Sequence, residues 1–430
     1  MGMWQRAAGL LGPDGRKLLA NVTSLGLTQG INLVLPVLVM PYLLRVIGVE
    51  RFGVVMVAQA LMAYLLVITE YGFSITATQE AAVQRDDQPA LSALFRRVLT
   101  AKAVLLLLSF GVLVILVSTV DTFRREAQLF YLSFGIVIGK TLFPIWFFQG
   151  VERMTYMAYF NVVAKAILLS TLFLFVREAG DYVWVNVYWS VGELLTGLAS
   201  LVFVRRQFGL SLRPASARAV LAQLRAGGPV FVTNLANSLY MNAGLLLLGF
   251  FAPARLVGLY AIADRLLALT KQLIGLLMQA TYPHACRLAA TSWVQLRLFF
   301  RRELALFSGL FLLVGLGLYG LAGPLTTGFA GRPVPEAAHY LRLLSLVPLI
   351  VSFNVTAYQI MLIHRLSRGY VGIVVTGAVL NIGLNLLLIP IWSALGTIIA
   401  ILVTELVVTL LFHLILHYQY PAYRLVAVSD

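Results

Sequence analysis

Apolar residues occur in runs of about 20 along almost the whole chain, and short polar connections separate the runs. An apolar helix of about that length crosses roughly 30 Å of hydrocarbon. The pattern predicts twelve membrane-spanning helices, over residues 18–44, 52–79, 98–119, 127–149, 154–177, 182–204, 228–251, 256–284, 303–323, 337–361, 368–391 and 395–417. We therefore expect an all-α, polytopic membrane protein.

Residues of the first two predicted helices recur, at the same depth, in the seventh and eighth. Aligning Gly53 with Gly258 without gaps brings similar residues together, in the pairs Thr28 with Thr233, Gln29 with Asn234, Asn32 with Asn237, Ala58 with Ala263, Gln59 with Asp264 and Leu61 with Leu266. Such a repeat predicts two pseudo-symmetric six-helix lobes in the same orientation, with a substrate between them. We expect an N-terminal lobe over 1–204, a basic cytoplasmic linker over 205–227 and a C-terminal lobe over 228–430.

Composition supports the membrane assignment and explains the charge. Of the 430 residues, 60% are hydrophobic and 11% are charged, whereas soluble domains carry about 25% charged residues. The net charge of +15 would suggest a nucleic-acid partner for a soluble protein. Here the loop arginines and lysines concentrate on the side of the N-terminus, so the positive-inside rule places both termini in the cytoplasm. We therefore expect no nucleic-acid partner.

Several charges fall inside the predicted spans, where a charge costs about 2.5–3.5 kcal/mol on insertion scales. The cations and the acid that could line a central cavity are Lys140, Lys165, Asp264, Arg265 and Lys271. Pro144 should bend the fourth helix close to Lys140. Asp264 and Lys271 lie on one face of the eighth helix. For each of these residues the alternative is a structural ion pair within the helix bundle.

Three carboxylates, Glu70, Glu193 and Glu405, are candidates for a gate or for proton coupling. Glu70 lies about two to three turns above the cytoplasmic end of the second helix. Its alternative is an ion pair with a neighbour such as Lys102, although Lys102 is close enough to the cytoplasmic end of its own helix to be predicted to snorkel. Glu193 and Glu405 could be counter-ions of the lysines.

Uncharged polar residues form stripes on the first and seventh helices, which are Asn21, Ser24, Thr28 and Asn32 on the first and Asn234, Ser238 and Asn242 on the seventh. They either join helices by hydrogen bonds or line a hydrophilic path. Gln29 and Asn237, which the repeat pairs with Asn234 and Asn32, are further polar candidates for the cavity. Cys286 is the single cysteine, and no cluster at metal-ligand spacing, phosphate-binding loop or nucleophile with its base is visible. We expect neither a metal nor a cofactor, and no enzyme activity.

Three stretches resemble one family. "MPYLLRVIGVERFGVVMVAQALMAYLLVITEYGFSITATQEAAVQRDD" resembles the first two helices of bacterial polysaccharide-biosynthesis flippases, which move O-antigen or exopolysaccharide repeat units. "FPIWFFQGVERM" resembles the segment after their fourth helix, and "VGLYAIADRLLALTKQLIGLLMQATYP" their eighth. These flippases belong to the multidrug/oligosaccharidyl-lipid/polysaccharide exporter superfamily.

The resemblance implies a substrate and a mechanism. The substrate would be an undecaprenyl diphosphate-linked oligosaccharide, carried to the periplasmic leaflet of the inner membrane by alternating access through a cationic cavity. Membrane lipids and polysaccharide-assembly proteins such as a polymerase would be the partners. One alternative is a cation-coupled drug exporter of the same superfamily, against which the excess of intramembrane cations argues. The other is a membrane glycan polymerase or ligase, which would need a large outer loop.

Overall fold

The computed structural model of the protein describes residues 13–364 and 366–419, with side chains throughout apart from 13–25, 27, 242, 367, 368 and 419. Regular structure in this part of the chain is helical, with one short 3-10 turn at Ala179–Asp181. The α-helices are α1 (Pro13–Glu70), α2 (Phe73–Val83), α3 (Gln88–Thr119), α4 (Asp121–Arg125), α5 (Ala127–Leu142), α6 (Ile145–Gly150), α7 (Met154–Phe175), α8 (Tyr182–Phe208), α9 (Ala217–Phe251), α10 (Ala254–Thr291), α11 (Trp293–Gly320), α12 (Ala322–Ala330), α13 (Pro335–Leu344), α14 (Val347–Ile363), α15 (Ser367–Trp392) and α16 (Ala394–Gln419).

The predicted all-α membrane architecture is confirmed. Nine helices in the described residues are long and apolar enough to cross a membrane, and α9, counted as one bent span, makes ten. Ten spans are consistent with the twelve predicted, because two features of the helices lower the number that can be counted separately. α1 runs through the first predicted span and most of the second, with a non-helical backbone only at Gly48 (φ 78°). The polar side chains of α10, which include Asp264, Arg265 and Lys271, lower its mean hydropathy.

The chain divides into two compact units. The first contains the residues up to Ile47 together with Ala58–Leu235, and the second contains Gly48–Val57 together with the chain from Ala236 onward. The lobe boundaries at 204 and 228 remain a prediction. Within the second unit, the aligned glycines of the repeat pack directly against each other: a Cβ on Gly53 would lie 2.6 Å from the backbone nitrogen of Gly258.

The core of the first unit is aromatic. Trp146, Phe147 and Phe148 of the "FPIWFFQG" segment are buried against Phe73 of α2 and Phe95 of α3. The rings of Phe95 and Phe147 meet edge to face, with centroids 5.6 Å apart, a favourable geometry for aromatic pairs. This packing fixes the broken helix α5–α6, which carries the first of the cavity lysines.

Close helix contacts at glycines position three of the helices that carry charges expected in the cavity, α5, α7 and α8. A Cβ on Gly139 of α5 would lie 2.5 Å from the backbone carbon of Glu193 on α8, and one on Gly197 would lie 2.6 Å from the Gly139 carbonyl oxygen. A Cβ on Gly192 of α8 would lie 2.5 Å from the carbonyl oxygen of Ala164 on α7. Small residues allow helix backbones in membranes to approach this closely, so Lys140, Glu193 and Lys165, which follow three of these contact residues directly, are held close together.

We expect Gly139→Ala to destabilise the protein by about 1–3 kcal/mol, because the added methyl group meets backbone that cannot rotate away. Gly111→Ala on α3 is the matched control: no atom lies within 4 Å of its added Cβ, and alanine favours the helix by roughly 0.5–1 kcal/mol. Thermal unfolding of the detergent-purified variants measures both changes. Equal midpoints for Gly139→Ala and the wild type would contradict the packing argument.

Candidate functional site

A cavity of about 400 Å³ lies within the first unit. Four charged side chains line it, one from α1, one from α5, one from α7 and one from α8: Glu70, Lys140, Lys165 and Glu193. The polar lining residues are Thr28, Asn32, Ser74, Asn161 and Thr196. Residues such as Leu66, Ile145, Met157 and Phe160 complete an apolar wall. The cavity therefore combines charged and polar groups with an apolar wall, as ligand sites commonly do.

Lys165 and Glu193 form an ion pair across α7 and α8. The Lys165 Nζ lies 2.8 Å from the Glu193 Oε1 and 5.8 Å from the centre of the Trp189 ring. Lys165 is only 8% exposed. The prediction that Glu193 could be a counter-ion of a cavity lysine therefore has a direct contact in the structure.

Glu70 is paired as well, with Lys102 of α3. The Lys102 Nζ donates to the Glu70 Oε1 at 2.8 Å and to the Thr141 carbonyl oxygen at 3.4 Å. Lys102 is 2% exposed, so the prediction that it snorkels to the cytoplasmic surface is wrong. The reason is that neighbouring helices supply acceptors in the interior, which the distance of Lys102 from its helix end cannot reveal.

The backbone explains the position of Glu70. α1 ends at this residue because Tyr71 (φ 45°) and Gly72 (φ 84°) both leave the helical conformation. A Cβ on Gly72 would also lie 2.7 Å from the Val230 side chain, so only glycine fits without strain. A carboxylate at the C-terminal end of a helix meets the negative end of the helix dipole, and the Lys102 ammonium offsets that repulsion.

Lys140 differs from the other two lysines. Its ammonium has no hydrogen bond to any described residue and no carboxylate within 4.0 Å, although the charges of Glu193, Lys165 and Glu70 act on it. The nearby break agrees with the bend predicted from Pro144: α5 ends at Leu142 and α6 begins at Ile145. The four lining charges sum to zero, and because Lys102 pairs with Glu70 from outside the lining, Lys140 remains as one unpaired positive charge among the described residues of this region.

Asn161 adds a second polar group without a protein partner. Its Oδ1 is buried and makes no hydrogen bond to the described residues, and Asn161 and Lys140 line the same cavity. A cation and an amide that both lack partners can bind an anionic, hydroxyl-bearing ligand. Thr196, Phe143 and Phe160 are lining residues that the sequence patterns did not single out, since nothing in hydropathy distinguishes them from other span residues.

Of the remaining predicted residues, one lines the cavity and the others lie outside it. Asn32 lines the cavity, whereas Gln29 is exposed and Asn234 is half-buried outside it. The other five belong to the second unit: Asn237, Asp264, Arg265, Lys271 and Glu405. Glu405 is buried and accepts a hydrogen bond of 2.6 Å from the Tyr240 hydroxyl. The Arg265 Nε is buried with no hydrogen-bond partner among the described residues.

The fold defines the class of protein: an all-α, multi-pass membrane protein. The chain matches, with a TM-score of 0.67 and 13% identity, the structure titled "Inward-facing conformation of a multidrug resistance MATE family transporter of the MOP superfamily", covering 90% of this chain and 96% of that one. It matches "Lipid II flippase MurJ, inward closed conformation" with the same TM-score at 12% identity, over 93% and 87% of the two chains. Identities this low show a shared fold and no more.

The family follows from sequence. The model of the family described as "Polysaccharide biosynthesis protein" matches residues 18–288, and the chain belongs to that family. A relative from Escherichia coli (strain K12), named "Putative O-antigen transporter", is 28% identical over 396 residues, which are 90% of this chain and 94% of the relative. The resemblance read from the sequence motifs is confirmed.

Proposed function

We propose that the protein is a flippase of the bacterial inner membrane. It carries an undecaprenyl diphosphate-linked oligosaccharide repeat unit from the cytoplasmic to the periplasmic leaflet by alternating access. The observation that supports this most directly is the Lys140 ammonium, which faces a cavity and lacks a carboxylate within 4.0 Å among the described residues. Membership of the polysaccharide biosynthesis family supports the class of substrate.

The electrostatics suit a diphosphate. A diphosphate linkage carries roughly two negative charges, and attraction to a cation is several times stronger near a protein cavity than in bulk water. An ammonium group binds phosphate as a point charge, so Lys140 can engage the linkage without a fixed geometry. Because Glu193 neutralises Lys165 at 2.8 Å, Lys140 is the lining charge that remains unpaired among the described residues. Lys165 becomes a second phosphate contact if the ligand competes with Glu193.

The cavity volume and lining suit the headgroup of such a lipid. Ligand sites of about 300–1,000 Å³ hold molecules of drug size, and 400 Å³ accommodates the diphosphate and adjoining sugar rather than the whole lipid. Asn32 and Asn161 offer amide groups to sugar hydroxyls. Among the predicted polar residues outside this cavity, Gln29, Asn234 and Asn237 are proposed sugar contacts, and Asp264, Arg265 and Lys271 are proposed to set the field in the second unit.

The two alternatives fit less well. A drug exporter for cationic compounds would favour an excess of carboxylates, whereas two carboxylates and two ammonium groups line this cavity and Lys102 adds a third ammonium beside Glu70. A glycan polymerase or ligase would need a reactive group, and we infer instead a transporter without enzyme activity. We also propose that the protein lies in the inner membrane with both termini in the cytoplasm, and that a polysaccharide polymerase is a partner.

A deletion strain tests the function. Loss of the protein should trap the lipid-linked repeat unit in the cytoplasmic leaflet, abolish surface polysaccharide and leave resistance to cationic dyes unchanged. The measurement is the fraction of lipid-linked glycan accessible to a periplasmic glycosidase, with the wild-type gene restored on a plasmid as the control. An unchanged leaflet distribution accompanied by dye sensitivity would instead establish the drug exporter.

A further inference from the structure

The second unit contains a carboxylate that interrupts an apolar helix face. Glu303 of α11 is 3% exposed. It follows Phe300 and precedes Phe307 by about one turn each, and both phenylalanines are buried. These two residues belong to separate apolar clusters of the unit. Glu303 is therefore a polar position within an otherwise apolar packing seam.

Three neutral side chains from two neighbouring helices surround this carboxylate. On α14, the Thr356 hydroxyl donates to the Glu303 Oε2 at 3.2 Å, and the Gln359 Nε2 donates to the Glu303 Oε1 at 3.0 Å. The same Gln359 amide donates to the Thr281 hydroxyl of α10 at 2.9 Å. The cluster thus ties α10, α11 and α14 together through hydrogen bonds.

No charged or imidazole side chain of the described residues forms an ion pair or a hydrogen bond with Glu303. Arg301 and Arg302, next to Glu303 on α11, are exposed, and α12 has no titratable residue. The charged or imidazole side chains of α13, all exposed, are Glu336, His339 and Arg342. On α10, Tyr282 interacts with Cys286 and with Tyr358 of α14. His284 of α10 lies near Arg287 and packs edge-on against Phe299. His413 of α16 contacts the Thr409 carbonyl.

Glu303 therefore lacks the nearby cation that three other carboxylates in the described helices have. Glu70 and Glu193 each contact a lysine at 2.8 Å, and the charge of Lys271 acts on Glu405. No Lys or Arg nitrogen of the described residues lies within 4.0 Å of Glu303. A buried charge without a partner is costly, and binding of a proton removes that cost.

The cluster can satisfy both protonation states. With Glu303 ionised, the Thr356 hydroxyl and the Gln359 amide both donate to it. When a proton from water adds to Oε2, the new O–H can donate to the Thr356 oxygen, whose own hydrogen rotates towards a backbone carbonyl one turn earlier, as helical threonines commonly do. The Gln359 N–H still donates to Oε1. Only one hydroxyl rotation separates the two states.

We propose that Glu303 is a reversible proton-binding site that couples the proton gradient to movement within the second unit. The protonated acid is compatible with the closed apolar seam between α11 and α14, and the ionised form favours its hydration and opening. The coupling role rests on the proposed transport function, whereas proton binding by Glu303 does not.

Infrared difference spectroscopy tests proton binding directly. Full-length protein in phosphatidylethanolamine/phosphatidylglycerol vesicles is titrated with acid, and the carbonyl band of a buried carboxylic acid is followed. We expect a wild-type band component that is lost in the isosteric Glu303→Gln variant and retained at shifted frequency in Glu303→Asp. Thr356→Val removes a donor to the ionised form and should raise the midpoint by about one to two pH units. Glu336→Gln, an exposed carboxylate, is the matched control.

The possible results distinguish failure of the Glu303 proton site from failure of the proposed transport function. A titrating band with the same area in Glu303→Gln and the wild type, or no such band in the wild type, overturns the proposal. In the same vesicles a pH gradient should accelerate wild-type transfer of lipid-linked glycan several-fold, and Glu303→Gln should transfer at one rate with or without the gradient. Equal rates of wild-type transfer with and without the gradient overturn the coupling. Absence of any transfer, with a band that requires Glu303, refutes the flippase and supports the proton site.

Discussion

Replacement of Lys140 by glutamine should reduce surface polysaccharide by about 10- to 150-fold while the protein still reaches the membrane. The side chain keeps its approximate size but loses the one cavity ammonium that has no carboxylate within 4.0 Å among the described residues. A hydrogen bond to a charged group contributes roughly 1.5–3 kcal/mol, and each 1.4 kcal/mol changes a binding constant about tenfold. Quantification of the polysaccharide per amount of membrane-inserted protein measures the effect.

Two control variants make the Lys140 result specific. Lys140→Arg keeps the positive charge and should retain most of the activity, because a phosphate accepts from either cation. The double variant Lys165→Met/Glu193→Gln removes a neutral pair and should impair export less than Lys140→Gln. Full polysaccharide output from Lys140→Gln would contradict a role of this cavity in transport.

Replacement of Lys102 by methionine should destabilise the protein by about 3–5 kcal/mol. Lys102 is 2% exposed and contacts Glu70 at 2.8 Å, and loss of one partner leaves a largely buried carboxylate uncompensated. The double variant Lys102→Met/Glu70→Gln removes both charges and should recover most of that loss. Thermal unfolding in detergent and the yield of monodisperse protein measure the three variants together.

The same pair of variants decides between the two roles of Glu70. If Glu70 is a gate or proton site, the double variant will be stable and inactive. If the pair only holds α1 against α3, the double variant will be stable and active. A single Lys102→Met variant as stable as the wild type would show that the contact is not formed in the folded protein.

The cavity charges could be recognised from the sequence because a charge in a span is costly and so must face a partner or a cavity. Lys140, Lys165, Glu70 and Glu193 were all identifiable on that ground, and the structure brings all four to one cavity. What the sequence could not supply is the direction in which each side chain points. Lys102 was predicted to snorkel from its depth, yet Glu70 and Thr141 accept its hydrogen bonds in the interior.

Glu303 shows a different limit of sequence reasoning. The predicted ninth span begins at this residue, directly after Arg301 and Arg302, so its carboxylate resembles part of a charged loop. In the structure α11 begins ten residues earlier, at Trp293, and buries Glu303. Helix ends are the least certain part of any hydropathy pattern, and a buried acid at such an end is hidden by the basic residues beside it.

The helix contacts at Gly139, Gly192 and Gly197 could not be predicted from the sequence either. Glycine is frequent in membrane helices, and the three that bring α5, α7 and α8 together look no different from Gly111, which faces open space. The repeat did single out Gly53 and Gly258, because alignment compares positions rather than composition. Their direct contact explains why both helices keep a glycine there.

The central claim is that the protein moves a lipid-linked glycan between leaflets, and transfer in reconstituted vesicles measures it most directly. Purified protein is placed in vesicles with undecaprenyl diphosphate-linked oligosaccharide in the inner leaflet, and a membrane-impermeant glycosidase reports the glycan that reaches the outer leaflet. We predict rapid exposure with the wild type and exposure near the rate of protein-free vesicles with Lys140→Gln. A wild-type rate equal to that of protein-free vesicles would contradict the account.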